Sequence, residues 1–325
     1  MARAAWVVAA ALAAPFLVGL AAASSGPRGE VAFTFADPEI IESSGLVARD
    51  GIVLTVNDSG DTGRVFAVDP KSGRTVGVTT WSTDPTDVEA LAPAGPGEVW
   101  VGDIGDNAGA RDSVTVVRVP VGRGDLDVDP DDLERYELTY PGGAADAETL
   151  LTDPRGRLLV VTKGIFGGVV LRAPARLDAD RPNRLRRIGV AGGIATDGAF
   201  FPDGRHFVVR DYANAVLYSY PDVDEVARWR LPDQPQGEGI AVDERGTVLI
   251  STEGSRSDVL RVRVPAKVQR LLAAPSDVDP SPVGDGSAEI APEQGKSDSS
   301  PWPWLIGGVA GAAIVVVLVR SLRPR

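Results

Sequence analysis

The chain contains no cysteine, one histidine and one methionine. Without cysteine it has no disulfide, no thiol nucleophile and no thiolate-bound zinc, and the redox poise of its compartment makes no demand on the fold. The histidine, His206, lies in PDGRHFVV on an expected strand, so a Ser-His-Asp triad has one candidate base and no marked serine partner. It reads as a surface or strand-packing residue. Neither a G-x-S-x-G elbow, nor a P-loop, nor a G-x-G-x-x-G turn between strand and helix occurs, which removes the common acyl-transfer and nucleotide-binding templates. The few large aromatics Trp81, Trp100 and Trp229 sit in strand-like runs and read as packing rather than as a sugar platform.

Basic charge is also scarce. All 45 acidic residues lie between positions 26 and 301, whereas Arg3, Arg320, Arg323 and Arg325 lie outside, so the body carries 29 basic residues and a net charge near −16. Such a surface repels nucleic acid and anionic lipid, and makes cations the expected small partners.

The two ends differ from the body. Residues 1–25 carry Arg3, an apolar run from Ala4 to Ala22 and the small residues Ala21-Ala22-Ala23 before Ser24, the pattern of a signal peptide cleaved near Ala23 or Ser25. The competing reading is an uncleaved anchor helix. Residues 302–320 pass from Trp302-Pro-Trp304 into LIGGVAGAAIVVVLV and end on arginine, with a basic tail at 321–325. Aromatic residues on one flank and only basic charge on the other predict a transmembrane helix with a cytoplasmic tail, rather than a buried core helix. The expected location is the cell membrane, crossed once, with the body on the extracytoplasmic side. Residues 266–301, rich in Pro, Ser, Asp and Gly, read as a disordered stalk, with VQRLL the part able to pack on the body.

Between the ends a repeat runs five times. A polar residue opens a short apolar run, a Gly-containing turn follows, and a second polar residue ends a Val-rich strand. The first of each pair is Ser44, Glu89, Glu148, Asp197 and Glu238; the second is Asp58, Asp103, Lys163, Asp211 and Glu253, at spacings of 14, 14, 15, 14 and 15. Each unit continues through a strand that ends in proline: RVFAVDP, VTVVRVP, GVVLRAP, AVLYSYP and VLRVRVP. Repeats of roughly 40–50 residues with several short strands apiece are the mark of a β-propeller. The fold expected is all-β, with a five-bladed propeller of four-stranded blades over residues 26–265. The fifth unit lacks a last strand, and Val31–Phe35 lacks a unit, so the N-terminal strand is expected to close the ring and remove both free edges. Six blades is the alternative, if residues 121–140 or 174–190 hide further strands.

First strands line the channel of a propeller, so equivalent positions converge on one axis. Ser44, Glu89, Glu148, Asp197 and Glu238 are expected to form one ring, and Asp58, Asp103, Lys163, Asp211 and Glu253 another. So many carboxylates repel one another unless a cation compensates them, and hard oxygen ligands favour calcium. Asn57-Asp58-Ser59-Gly60-Asp61 and Asp103-Ile104-Gly105-Asp106-Asn107 add oxygen ligands beside glycine. The candidate metal ligands are therefore Asp58, Asp61, Glu89, Asp103, Asp106, Asn107, Glu148, Asp197, Asp211, Glu238 and Glu253. The competing reading makes these residues turn and strand-end caps that bind backbone N–H groups.

The segments SSGL, NDSGD, DVEALA, VGDIGDN and DAETLL resemble those of exported bacterial propellers, common in actinobacteria, related to the phytase-like, "esterase-like activity of phytase" and NHL or SMP-30 types. The resemblance implies channel carboxylates that bind calcium, with the calcium holding a phosphate or lactone substrate. Carried over, the matching acids are Glu89, Asp103, Glu148, Asp197, Asp211 and Glu238, with Lys163 facing an anionic group and Glu148, Lys163 and Asp197 as catalytic candidates. Histidine-dependent catalysis of the paraoxonase kind is a scheme that this chain, with His206 as its one histidine, cannot supply. Three functions are compatible with the sequence: a membrane-anchored module binding a ligand or surface protein at an acidic mouth with calcium, a calcium-dependent phosphoester or ester hydrolase, and a structural surface scaffold.

Overall fold

The computed structural model describes residues 27, 29–58 and 60–274. Strands are numbered in chain order, beginning with β1 (Glu30–Thr34). Blade 1 holds β2 (Ser43–Arg49), β3 (Ile52–Asn57), β4 (Arg64–Val68) and β5 (Thr75–Trp81). Blade 2 holds β6 (Val88–Gly95), β7 (Glu98–Asp103), β8 (Val114–Pro120) and β10 (Glu134–Thr139). Blade 3 holds β11 (Ala147–Thr152), β12 (Leu158–Thr162), β13 (Gly168–Arg172) and β15 (Arg186–Ala191). Blade 4 is β16 (Asp197–Phe200), β17 (His206–Arg210), β18 (Asn214–Ser219) and β19 (Glu225–Arg230). Blade 5 is β20 (Gly237–Val242), β21 (Val248–Thr252) and β22 (Asp258–Val262), and its outer strand is β1.

The N-terminal strand thus closes the ring, antiparallel to β22 with Val31 opposite Leu260. Closure satisfies the outer edge of β22, which would otherwise present unpaired backbone groups. Among the described residues there are five sheets, not six. The long connections do contain extra strands, but they extend neighbouring blades. β9 (Leu126–Val128) leaves blade 2 to pair parallel with β5 of blade 1, and β14 (Asn183–Arg184) leaves blade 3 to pair parallel with β10 of blade 2. Each therefore buttresses the outer edge of the preceding blade.

The burial pattern explains the strand sequences. β3, β12 and β21 are buried at every position because adjacent blades cover both their faces, so they read as unbroken apolar runs. Outer strands alternate, as Thr75–Trp81 does. Apolar side chains collect between blades, for example Leu54, Val56 and Trp81 of blade 1 with Leu91, Val101 and Val119 of blade 2. Phe33 and Phe35 fill the wedge between blades 5 and 1 with Leu46, Phe66 and Val259. At the first hairpin Asp50 and Gly51 both take positive φ, 51° and 73°, which is what a two-residue turn between right-twisted strands requires.

Residues 266–273, which composition alone groups with the stalk, form helix α1 (Ala266–Ala273). Val268 is buried against the cluster of Phe201, Trp229, Leu231 and Val262. Val268→Ala is expected to cost about 1.5–2 kcal/mol of unfolding free energy, the transfer of two methyl groups plus a small void. A urea titration followed by tryptophan fluorescence checks this, and an unchanged midpoint would mean that α1 is not docked in solution. The expected signal peptide, the rest of the stalk, the transmembrane helix and the basic tail lie outside the described residues. No helix among the described residues is long and apolar enough to cross a membrane.

Candidate functional site

Inner strands β2, β6, β11, β16 and β20 succeed one another around the axis. Their N-terminal ends open on one face, the mouth, together with the turns between second and third strands, and the turns between first and second strands lie on the other. In four blades the ladder slips just where the first ring residue stands: between Ser43 and Leu46, Val88 and Ala90, Ala147 and Thr149, and Gly237 and Ile240. A residue in such a bulge has no partner across the ladder and its side chain is re-aimed. The residues so placed are Ser44, Glu89, Glu148 and Glu238, all buried.

These side chains do converge. The Ser44 hydroxyl donates to Glu89 Oε2 at 3.3 Å, and Lys163 Nζ donates to Glu148 Oε1. Burial, then the charges of Glu148, Asp58 and Asp87, push the Glu89 carboxyl up to about 10, against the pull of Lys163. Glu148 is raised by burial and held back by Lys163. Burial and the Glu148 charge push Glu238 up to about 7, opposed by Arg210.

Asp197 behaves differently, because β16 has no bulge and Asp197 pairs directly with Arg210. Its carboxylate accepts N–H groups from Gly198 at 2.7 Å, Ile240 at 2.8 Å and Leu46 at 3.2 Å. It thereby ties blade 4 to blades 5 and 1. Burial raises this carboxyl, against those three donors and Arg210. Arg210 is just as buried, and its Nη1 donates to Gly239 O at 3.0 Å, Ser251 O at 3.2 Å and Gln234 Oε1 at 3.3 Å. Burial brings its pKa down to about 10. A Cβ on Gly237 would fall 2.0 Å from Arg210 Nη2, so glycine is required there.

The second ring needs a correction of register. Residues level with one another at the ends of the second strands are Asn57, Asp103, Thr162, Arg210 and Thr252, which pair with Ser43, Val88, Ala147, Asp197 and Gly237. The residue level with Asp58, Lys163, Asp211 and Glu253 is therefore Ile104, fully buried, and not Asp103. Asp103 has the role of Asn57. Asn57 Oδ1 accepts the N–H groups of Ile41 and Glu42 at 3.0 and 3.2 Å; Asp103 accepts those of Thr86 and Asp87 at 3.0 and 2.9 Å, and Arg111 Nη1 at 2.8 Å.

Several other candidates serve as turn anchors. Asp61 takes Asn57 Nδ2 at 2.7 Å and Arg64 Nε at 2.8 Å. Asp106 accepts the N–H groups of Ala110 and Arg111 at 2.9 and 3.0 Å, and Asp211 those of Ala213 and Asn214 at 2.8 and 2.6 Å. Asn107 is exposed beside the first of these turns. Such bonds satisfy strand ends by the local pattern typical of Asx turns.

One residue outside the repeat alignment belongs to the site. Carboxylate oxygens of Asp58, Asp87 and Glu89 lie within 4.8 Å of one another. Burial and the charges of Asp58 and Asp146 raise the Asp87 carboxyl. The signal for it is the D-x-E spacing in Asp87-Val-Glu89, repeated in Asp146-Ala-Glu148, which sets a second carboxylate just ahead of each bulged strand end. Tyr212 is also at the mouth, where burial and then Glu238 hold its hydroxyl in the protonated form.

No protein-family model matches the chain, and no curated protein matches it. Among solved structures it is similar to a protein of Bacteroides uniformis provisionally assigned as a 6-phosphogluconolactonase, at 15% identity and TM-score 0.39, over 69% of this chain and 68% of that one. It is similar to a chain of the nidogen/laminin complex at 14% identity and TM-score 0.42, over 67% and 74% respectively. At these scores neither likeness bears on function. The five-bladed architecture rests on the sheet topology.

Proposed function

We propose that this protein is an extracytoplasmic binding propeller, anchored in the cell membrane, whose acidic mouth holds a divalent cation, calcium, at Asp58, Asp87 and Glu89. The observation that supports it most directly is the proximity of those three carboxylates, one of them driven far above its ordinary range by its neighbours. Three hard oxygen donors on loop and strand-end positions fit calcium, which tolerates irregular ligand geometry, better than zinc. A bound cation would neutralise the cluster and offer open coordination positions to an oxygen-rich ligand. Glu148 and Lys163 would flank that ligand, the lysine already committed to its carboxylate.

Binding is preferred to phosphoester or ester hydrolysis because the catalytic candidates are engaged. Asp197 is taken by three backbone donors, and Glu148 is paired with Lys163. Arg205 Nη2 donates to Ala274 O at 2.6 Å, which places the last described residues beside the turn between β16 and β17.

Isothermal titration of the purified protein with calcium chloride is expected to show one site, and Asp87→Asn to weaken it roughly tenfold or more by removing a charged ligand. Absence of heat and of any calcium-dependent rise in melting temperature would overturn the cation site.

A further inference from the structure

The outer edges of the blades are finished in different ways. In blade 1, β9 pairs parallel with the last strand β5, and in blade 2, β14 pairs parallel with β10. Blade 5 ends on β1, where Glu30 meets Arg261 at 2.6 Å, and blade 4 ends on β19, where Arg228 meets Glu225 at 2.9 Å and Arg230 meets Asp233 at 2.8 Å. Blade 3 ends on β15, with no fifth strand among the described residues. Arg186 and Arg187 on this strand are exposed and form no ion pair among the described residues. Arg186 stands directly opposite Arg172 across the β13–β15 ladder, where like charges repel. A hollow of about 600 Å³ lies beside the strand, lined by its Arg187, Val190 and Ala191, by Phe166 of the β12–β13 loop, and by Tyr218 and Val223 of blade 4. Phe166 is wholly exposed and Val190 is 52% exposed, so apolar surface is held in water next to the open edge. Two acids also line the hollow, Asp224 and Glu225, the second taken by Arg228.

We propose that β15 is completed by an extended segment of a partner protein in which acidic and apolar residues alternate, laid along the open edge as β9 is laid along β5. The chain itself supplies the precedent. β9 and its flanks read Gly124-Asp-Leu-Asp-Val-Asp129; Asp125 Oδ1 accepts the Val78 N–H at 3.0 Å, and Asp127 Oδ1 accepts from Thr80 Oγ1 at 3.3 Å. In strand addition the backbone bonds supply affinity and the alternating side chains supply selectivity. Arg186 and Arg187 are successive residues of a strand and leave on opposite faces, so a row of carboxylates on either face meets one of them. The apolar row then covers Phe166 and Val190. Charge selects the occupant further: the β15 of a second copy would set arginine against arginine, and a body with net charge near −16 repels nucleic acid. The inference goes beyond the cation site and does not depend on it.

The probe is the chain's own edge-pairing sequence as a capped peptide, acetyl-Gly-Asp-Leu-Asp-Val-Asp-amide, titrated calorimetrically into the whole protein in EDTA so that no calcium bridges the carboxylates. It is expected to bind, and a peptide with lysine in place of each aspartate is expected not to. Methylating the three backbone nitrogens of Leu-Asp-Val removes the donors a strand needs while keeping the charge, and is expected to weaken binding at least roughly tenfold. The double change Arg186→Glu with Arg187→Glu is expected to weaken it by about tenfold or more, and Phe166→Ala by about threefold or more. All three side chains are exposed, so these variants are expected to fold. Undiminished binding of the methylated peptide would overturn the proposal and mark a polyanion surface of the kind a nucleic acid would use. No binding of the acidic peptide, equal binding of the lysine peptide, or unaltered binding by the double variant would also overturn it, and would leave the arginines as guards against edge pairing.

Discussion

Arg210→Met is expected to lower the unfolding free energy by about 3–5 kcal/mol, the range for removing one member of a buried ionic group. The guanidinium lies wholly inside the propeller, where its charge opposes that of Glu238, Asp197 and Asp211. It also bonds Gly239 O and Ser251 O of blade 5 from its position on β17 of blade 4. Methionine of similar length keeps the volume but returns neither the charge nor the donors, so two buried carbonyls lose a donor and three buried carboxylates lose a compensating charge. Equilibrium urea unfolding measures the loss. Combining Arg210→Met with Glu238→Gln should recover part of it, because the second change removes a charge the first leaves uncompensated. A double variant no more stable than the single one would show that Glu238 is not what Arg210 neutralises.

In EDTA the protein is expected to become less stable between pH 5 and pH 8, and calcium is expected to suppress the part of that loss that comes from Glu89. The Glu238 carboxyl, 4.5 in an unfolded chain, is held at about 7 in the fold, chiefly by burial and by Glu148. Since the folded value is the higher one, the native state keeps the proton longer. The associated stability is complete below pH 4.5 and is lost as pH rises through 7, amounting to roughly 3 kcal/mol when the group is fully ionised. Glu89 adds to the same trend, with a window that extends to about 10. Carboxyls held low, such as Asp61 beside Arg64, act only below their ordinary range and leave this window clear. A divalent cation at Asp58, Asp87 and Glu89 favours the ionised carboxylates and opposes the loss. Melting temperatures across pH 5–8, with and without calcium, check the prediction, and Glu238→Gln should flatten the EDTA curve. A wild-type curve that rises over this interval would contradict the assignment of buried, uncompensated carboxylates.

How far the sequence leads differs between fold and site. Five prolines closing five Val-rich strands, and a strand without a unit matched to a unit without a strand, pointed to five blades closed by β1, with six as the alternative that the sheet topology removed among the described residues. These are local signals, because alternation, turn glycines and edge-satisfying strands act over a few residues. Convergence of Glu89, Glu148 and Glu238 was legible for the same reason, since it follows from repetition about an axis.

Register was not legible. One residue of slippage at each bulge puts Ile104, and not Asp103, level with Lys163, and its absence in β16 turns Asp197 from a channel ligand into a knot between three blades. Asp58, Asp61, Asp103, Asp106 and Asp211 have similar sequence surroundings. Only the fold shows that oxygens of Asp103, Asp106 and Asp211 take backbone N–H groups and that Asp58 meets Asp87 and Glu89.

The sequence by itself determined the all-β repeat, the acidic body, the absence of thiol and triad chemistry, and the axis on which the polar residues meet. Tertiary structure decided which carboxylates remain at the mouth, where Arg210 is buried, and that Tyr212 stands beside them. The physical reason is that strand pattern depends on neighbours along the chain, whereas burial, bulge placement and charge compensation depend on what the adjacent blade brings across the interface.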